Sequence, residues 1–127
     1  MKTGVLYWVL LIIAVSTLIS GLIQLINPSF VLGIVSAEQT ATARHFFGIV
    51  GMFMALFGGM LLQTLMGAGQ SGIVILWSGA QKLGASAAVG IGVLNHIFSS
   101  LALAVAGFDF LSGLLIFAYL WKTSAAR

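Results

Sequence analysis

The chain has 127 residues, of which 61% are hydrophobic and only 6% charged, with a formal net charge of +3. A soluble domain is about one quarter charged, and a globule of this length could not hide so much apolar surface, so an integral membrane protein of one domain is expected. The absence of cysteine excludes disulfides, thiolate metal sites and thiol catalysis, and the scattered basic residues are a topology signal, not a nucleic-acid footprint.

A membrane-crossing helix needs roughly 20 predominantly apolar residues. The opening MKTGVLYWVLLIIAVSTLISG has the lysine and apolar run of a signal peptide. The run continues to Ile26 with no small-residue cleavage site after it, so a retained first span over 5–26 is expected. Asn27-Pro28 closes that span, because proline lacks the N–H and disfavours helix in the residue before it. An outer connection over 27–44 follows. The second span is expected over 45–66, with its helix beginning earlier. SAEQ, Ser36 to Gln39, has the spacing of a capping box, and Glu38 suits the positive end of a helix dipole. GAGQSG then interrupts the chain.

The tract from Ile73 to Trp121 divides in one of two ways. A break at QKLG leaves a last segment too short to cross, whereas a break at NHIFSS gives two segments of spanning length, 72–94 and 100–121. The second division is adopted, and the expected fold class is all-α, an antiparallel four-helix integral membrane bundle. Lys2, Lys122 and Arg127 lie at the ends carrying both termini, and Tyr7, Trp8, Tyr119 and Trp121 fall at the same level as an interfacial belt. Both termini are therefore expected on the cytoplasmic side of a bacterial inner membrane.

This division places Lys82 near the middle of the third span and Asp109 near the middle of the fourth, at depths that differ by only a few Å at about 1.5 Å per residue. An unpaired charge at mid-bilayer costs about 3 kcal/mol or more, so intramembrane charges pair. Lys82 and Asp109 are expected to form a buried ion pair. The pair admits two readings, as an interhelical tie or as the grip for a ligand or proton.

Other polar residues gather on faces. Ser16, Ser20, Gln24 and Asn27 fall within about 80° of one another around the first span, at about 100° per residue. Arg44, Gly48, Gly51, Ala55 and Gly58 make a narrow small-residue face on the second, suited to close backbone approach. Ser78, Lys82, Ser86, Val89 and Val93 share a face of the third. Ala102, Asp109, Gly113 and Ile116 share one on the fourth, with Ser112 at its edge. The expected polar core comprises Ser16, Ser20, Gln24, Gln81, Ser86 and Ser112.

An outer-end polar cluster is expected from Arg44, His45, Asn95 and His96, with Asn27 and Glu38 nearby and Arg44 in reach of Asp109. The two histidines suit lipid headgroups or a metal or tetrapyrrole. ATARH has the A-x-x-x-H spacing of light-harvesting helices. No metal site is assigned, since zinc spacing is lacking, and no cofactor is named. With two acidic residues there is no carboxylate dyad or serine triad, and GIG at 90–92 lacks the third glycine and the strand of a nucleotide loop.

Three motifs carry a family resemblance: ARHFFGIVGMFMALFGG, WSGAQK and GFDFLSGLL. Over about the last two-thirds of the chain they resemble the DoxX-like group of small four-helix bacterial membrane proteins. The resemblance implies an accessory subunit of a respiratory oxidoreductase. The small multidrug transporters are similar in size and span count, but nothing between Met1 and Asn27 is acidic, which removes their essential glutamate.

The sequence thus points to a non-enzymatic accessory or ligand-binding membrane subunit organised by Lys82 and Asp109. A proton-coupled small-solute carrier, or a small membrane enzyme acting on a lipophilic substrate, is the alternative. Expected partners are membrane lipids, a lipophilic ligand, and a larger membrane complex or a second copy of the chain; nucleic acid is not among them.

Overall fold

The computed structural model describes residues 4–125. Lys2 and Arg127, which carry part of the topology signal, lie outside the described residues. Among those described, the fold is all-helical. α1 (Val5–Ile26), α2 (Pro28–Ile34), α3 (Ala41–Met66), α4 (Gly72–Leu94) and α5 (Ala102–Ala125) follow one another with no strand. Three helices, α1, α3 and the Ala102–Ser124 part of α5, are long and apolar enough to cross a membrane. α4 matches them in length, with 23 residues, but carries Gln81 and Lys82 at its centre.

The helix ends are set locally. Asn27 ends α1 and caps α2, its side chain accepting from the Phe30 N–H, while Pro28 occupies the first turn, where no N–H is needed. The outer connection is therefore partly helical, which the sequence reading lacked. The capping box expected at Ser36–Gln39 does not form. Thr40 caps α3 instead, its hydroxyl accepting from Ala43 N–H at 3.0 Å.

Ser36 ends α2 with φ 55°. The Ala37 N–H reaches back to Leu32 O at 2.9 Å and the Ser36 N–H to Gly33 O at 3.2 Å, a Schellman closure. His96 does the same after α4, with φ 59°, Ile97 N–H to Gly92 O at 2.8 Å and His96 N–H to Val93 O at 3.1 Å. Both positions are the left-handed C′ site that usually takes glycine.

The four long helices form a ring in which α1 packs broadly on α3 and α4 broadly on α5. The seams α3–α4 and α1–α5 are thin, and the diagonal pairs make no close backbone contact among the described residues. Small residues permit the α1–α3 approach. Gly21 of α1 meets Gly51 and Ala55 of α3 backbone to backbone. A Cβ at Gly51 would lie 2.6 Å from Leu25 N, and one at Gly58 2.6 Å from Leu18 N. Gly113 of α5 receives the Leu83 side chain of α4 in the second pair.

The two pairs join in the half of the bundle nearest the termini. Tyr7, Leu10, Ile13 and Ala14 of α1 pack with Leu61 and Leu65 of α3, Ile75 of α4, and Ile116 and Tyr119 of α5. The polar centre is thus limited to mid-height and does not run the length of the bundle. Two of the expected belt aromatics belong to this core. Tyr7 donates to Leu65 O at 3.1 Å and Tyr119 to Gln70 Oε1 at 2.7 Å. Each hydroxyl finds its acceptor at the α3 end or in the α3–α4 turn, which draws the rings inward. Trp8 and Trp121 stay outside, 56% and 79% exposed. The outer faces carry bare large apolar side chains such as Ile12, Phe53 and Leu111, as a chain surrounded by hydrocarbon requires.

Candidate functional site

Lys82 and Asp109 meet at mid-height. Each sits on the helix face turned to its neighbour, and the Lys82 Nζ donates to Asp109 Oδ1 at 3.1 Å. Lys82 is 4% exposed and Asp109 8%. The ammonium also lies 5.3 Å from the Phe108 ring centroid, within cation–π range. One turn along α4, Ser86 donates to Ala106 O at 2.8 Å, a second tie between the two helices. Removing two charges from water is costly, and their mutual attraction offsets that cost only with good geometry and extra hydrogen bonds. The pair is the sole ion pair among the described residues.

The structure divides the expected polar core. Gln24 is buried and donates to Phe47 O at 3.0 Å, tying α1 to α3. Ser112 is buried; Gln81, Ser86 and Ser16 are half-buried. Ser20 is exposed, contrary to expectation. Gly21 supplies the backbone contact with α3, so its neighbour, about 100° away around the helix, is turned out. Thr17, one turn before Gly21, faces inward in its place.

The outer-end cluster is not assembled. Arg44 donates to the Gln39 carbonyl and does not reach Asp109. It borders an open groove of about 410 Å³ with His45, Leu25 and Pro28. Glu38, His45, Asn95 and His96 are exposed, and no hydrogen bond joins the α3 members to the turn after α4 among the described residues. His96 is placed by its backbone role in ending α4, and Asn95 is the C-cap of that helix. Among the described residues no three His, Asp or Glu side chains gather to hold a metal.

A cavity of about 210 Å³ opens between the two helix pairs in the half away from the termini. Its walls are Phe47, Val50 and Met54 of α3, Gln81, Lys82 and Ala85 of α4, and Val105 and Asp109 of α5. The ion pair is thus the only charge in a largely apolar chamber, whose other polar lining residues are Gln24 and Gln81. Val31 of α2, Val35 at its C-cap and Phe98 of the α4–α5 turn roof it. The Ser99 N–H donates to Val35 O at 2.8 Å, stitching the roof together across the two pairs. Phe98 lies where it does because residue 92 is glycine; a Cβ there would fall 2.5 Å from the ring. Val50 and Val105 line the cavity and are each about half exposed, 50% and 47%. The roof closes the end, so the chamber communicates sideways with the medium around the helices.

The apolar core of Leu10, Leu61, Leu65 and Ile75, each at most 2% exposed, lies beyond the chamber toward the termini and leaves no continuous polar path there. The roof residues were not singled out from the sequence. The aromatic in the NHIFSS break was the available signal for Phe98, but its partner Gly92 is only recognisable once the turn is folded. Comparison with protein-family models, curated proteins and solved structures found no match.

Proposed function

We propose that the protein is a four-span bacterial inner-membrane protein, with both termini cytoplasmic, that binds a small lipophilic ligand between its two helix hairpins. In this reading α4 crosses the bilayer with the other three long helices because its one central charge is satisfied internally. Lys82 is paired, and Gln81 lies half-buried beside the chamber. The observation that carries the proposal is the apolar cavity with the Lys82–Asp109 pair in its wall.

The chemistry of the chamber restricts the ligand. An apolar cavity of about 150 Å³ accommodates a benzene ring, so about 210 Å³ suits a ring or short chain with a few further atoms. The ion pair is already neutral, so a charged head would be desolvated without a counter-charge, and a neutral head is favoured. Ammonium has three donors, and Asp109 takes one. A carbonyl or hydroxyl oxygen on the ligand would accept another. Entry is lateral, from the hydrocarbon, past Val50 and Val105. A binding subunit of a larger membrane complex, as the DoxX-like resemblance implies, would use such a site.

The test is ligand retention. The protein is extracted into native-lipid nanodiscs, and small molecules released on denaturation are identified by mass spectrometry. Ala85→Phe, which fills the chamber from a half-buried wall position, serves as control. A stoichiometric small molecule lost from the variant is expected; wild type without one overturns the proposal.

The second reading, a proton-coupled carrier, is favoured by one observation, that Asp109 itself borders the chamber. It requires Asp109 to change protonation state during turnover. Carboxylate infrared difference spectra of wild type and Asp109→Asn across pH 5–9 decide it. A titrating band that vanishes in the variant would replace the binding reading with the carrier.

A further inference from the structure

Ser78 sits one helical turn from Lys82 on the side nearer the termini. It is 3% exposed, and its Oγ is the one buried side-chain polar atom without a hydrogen-bond partner among the described residues. Native structures satisfy nearly all such groups, with protein or with ordered water. A helical hydroxyl commonly bonds back to the carbonyl one turn earlier, as Thr17 does to Ile13 O at 2.8 Å. Ser78 does not.

Ser78 instead borders a hollow of about 10 Å³ between α1, α3 and α4, the room of one water molecule. An internal water needs two to four polar partners, and the hollow supplies them. Ser78 offers both a donor and an acceptor. Thr17 Oγ1 has used its proton on Ile13 and keeps lone pairs to accept. Lys82 also borders the hollow and has two N–H groups beyond the one given to Asp109. Gln81, half-buried, lines the hollow too, beside Phe57, Gly58 and Leu61.

We propose that this hollow holds one ordered water, hydrogen-bonded to Ser78 Oγ and Lys82 Nζ, on the side of the ammonium away from the ligand chamber. The water satisfies the buried hydroxyl and gives the ammonium a second acceptor, leaving its third N–H for the chamber. Leu10, Leu61, Leu65 and Ile75 close the bundle beyond it toward the termini. The inference is independent of whether the chamber binds a ligand.

Proton-detected solid-state NMR on ¹⁵N-lysine-labelled protein in bilayers tests it. The chain has three lysines, Lys2, Lys82 and Lys122, and Lys82→Met assigns the buried one. The expected result is a water correlation at Lys82 Nζ that is retained in Ser78→Thr and lost in Ser78→Val, where a methyl replaces the hydroxyl. Wild-type protein without the correlation overturns the proposal, as does equal intensity in Ser78→Val. Amide spectra superimposable on wild type establish that the variants are folded, and an absent wild-type correlation overturns the proposal whatever the variants do.

Discussion

Replacing Lys82 by Met keeps most of the side-chain volume and removes its charge, leaving Asp109 as a carboxylate that is 8% exposed with its only charged partner gone. At 3.1 Å, and with an effective dielectric of about 20, the attraction lost is about 5 kcal/mol. Part of that is returned as the lysine's own desolvation, so a net loss of about 3–5 kcal/mol is expected, the usual cost of breaking a buried pair on one side. Asp109→Leu should cost a similar amount by stranding the ammonium, softened by Phe108 at 5.3 Å. The double variant strands neither charge. Replacing a whole buried pair with apolar groups of similar volume is often neutral, so it should lie within about 2 kcal/mol of wild type. The assay is reversible unfolding in mixed micelles titrated with dodecyl sulfate, followed by circular dichroism. If the double variant equals the sum of the singles to within about 0.5 kcal/mol, the two side chains do not interact energetically, and the account of the site fails.

Three further results are expected. Gly51→Val should destabilise the protein by about 3 kcal/mol or more, because its Cβ would meet Leu25 N and Gly21 O, backbone atoms that cannot rotate away. Gly59→Ala, with nothing within 4 Å of the new methyl, should be neutral or stabilising by about 1 kcal/mol; equal losses in the two would show that helix propensity and not close approach governs α3. Activity reporters fused after Arg127 and inserted in the turn at 95–99 should report opposite sides of the membrane, and agreement between them would remove α4 or α5 from the set of crossing helices.

What the sequence determined by itself was local. Runs of apolar residues bounded by Asn27-Pro28, GAGQSG and NHIFSS set where the long helices lie, since helix length and interruption are properties of neighbouring residues. Lys82 and Asp109 could be matched because a short antiparallel connection converts distance along the chain directly into depth. The small face of α3 was legible for the same reason, as its residues recur at helical spacing.

Rotation and splay were decided only by the tertiary structure. Ser20 and Thr17 lie about 60° apart on a helical projection, and the lock of Gly21 against Gly51 selects which of them faces inward. Tyr7 and Tyr119 read as interfacial until Leu65 O and Gln70 offer buried acceptors. The chamber is least legible of all. It exists because each helix pair is tight while the seams between pairs are thin, and because α2 and Phe98 close over the gap. A void is the mismatch of surfaces from five segments, and no single segment encodes it.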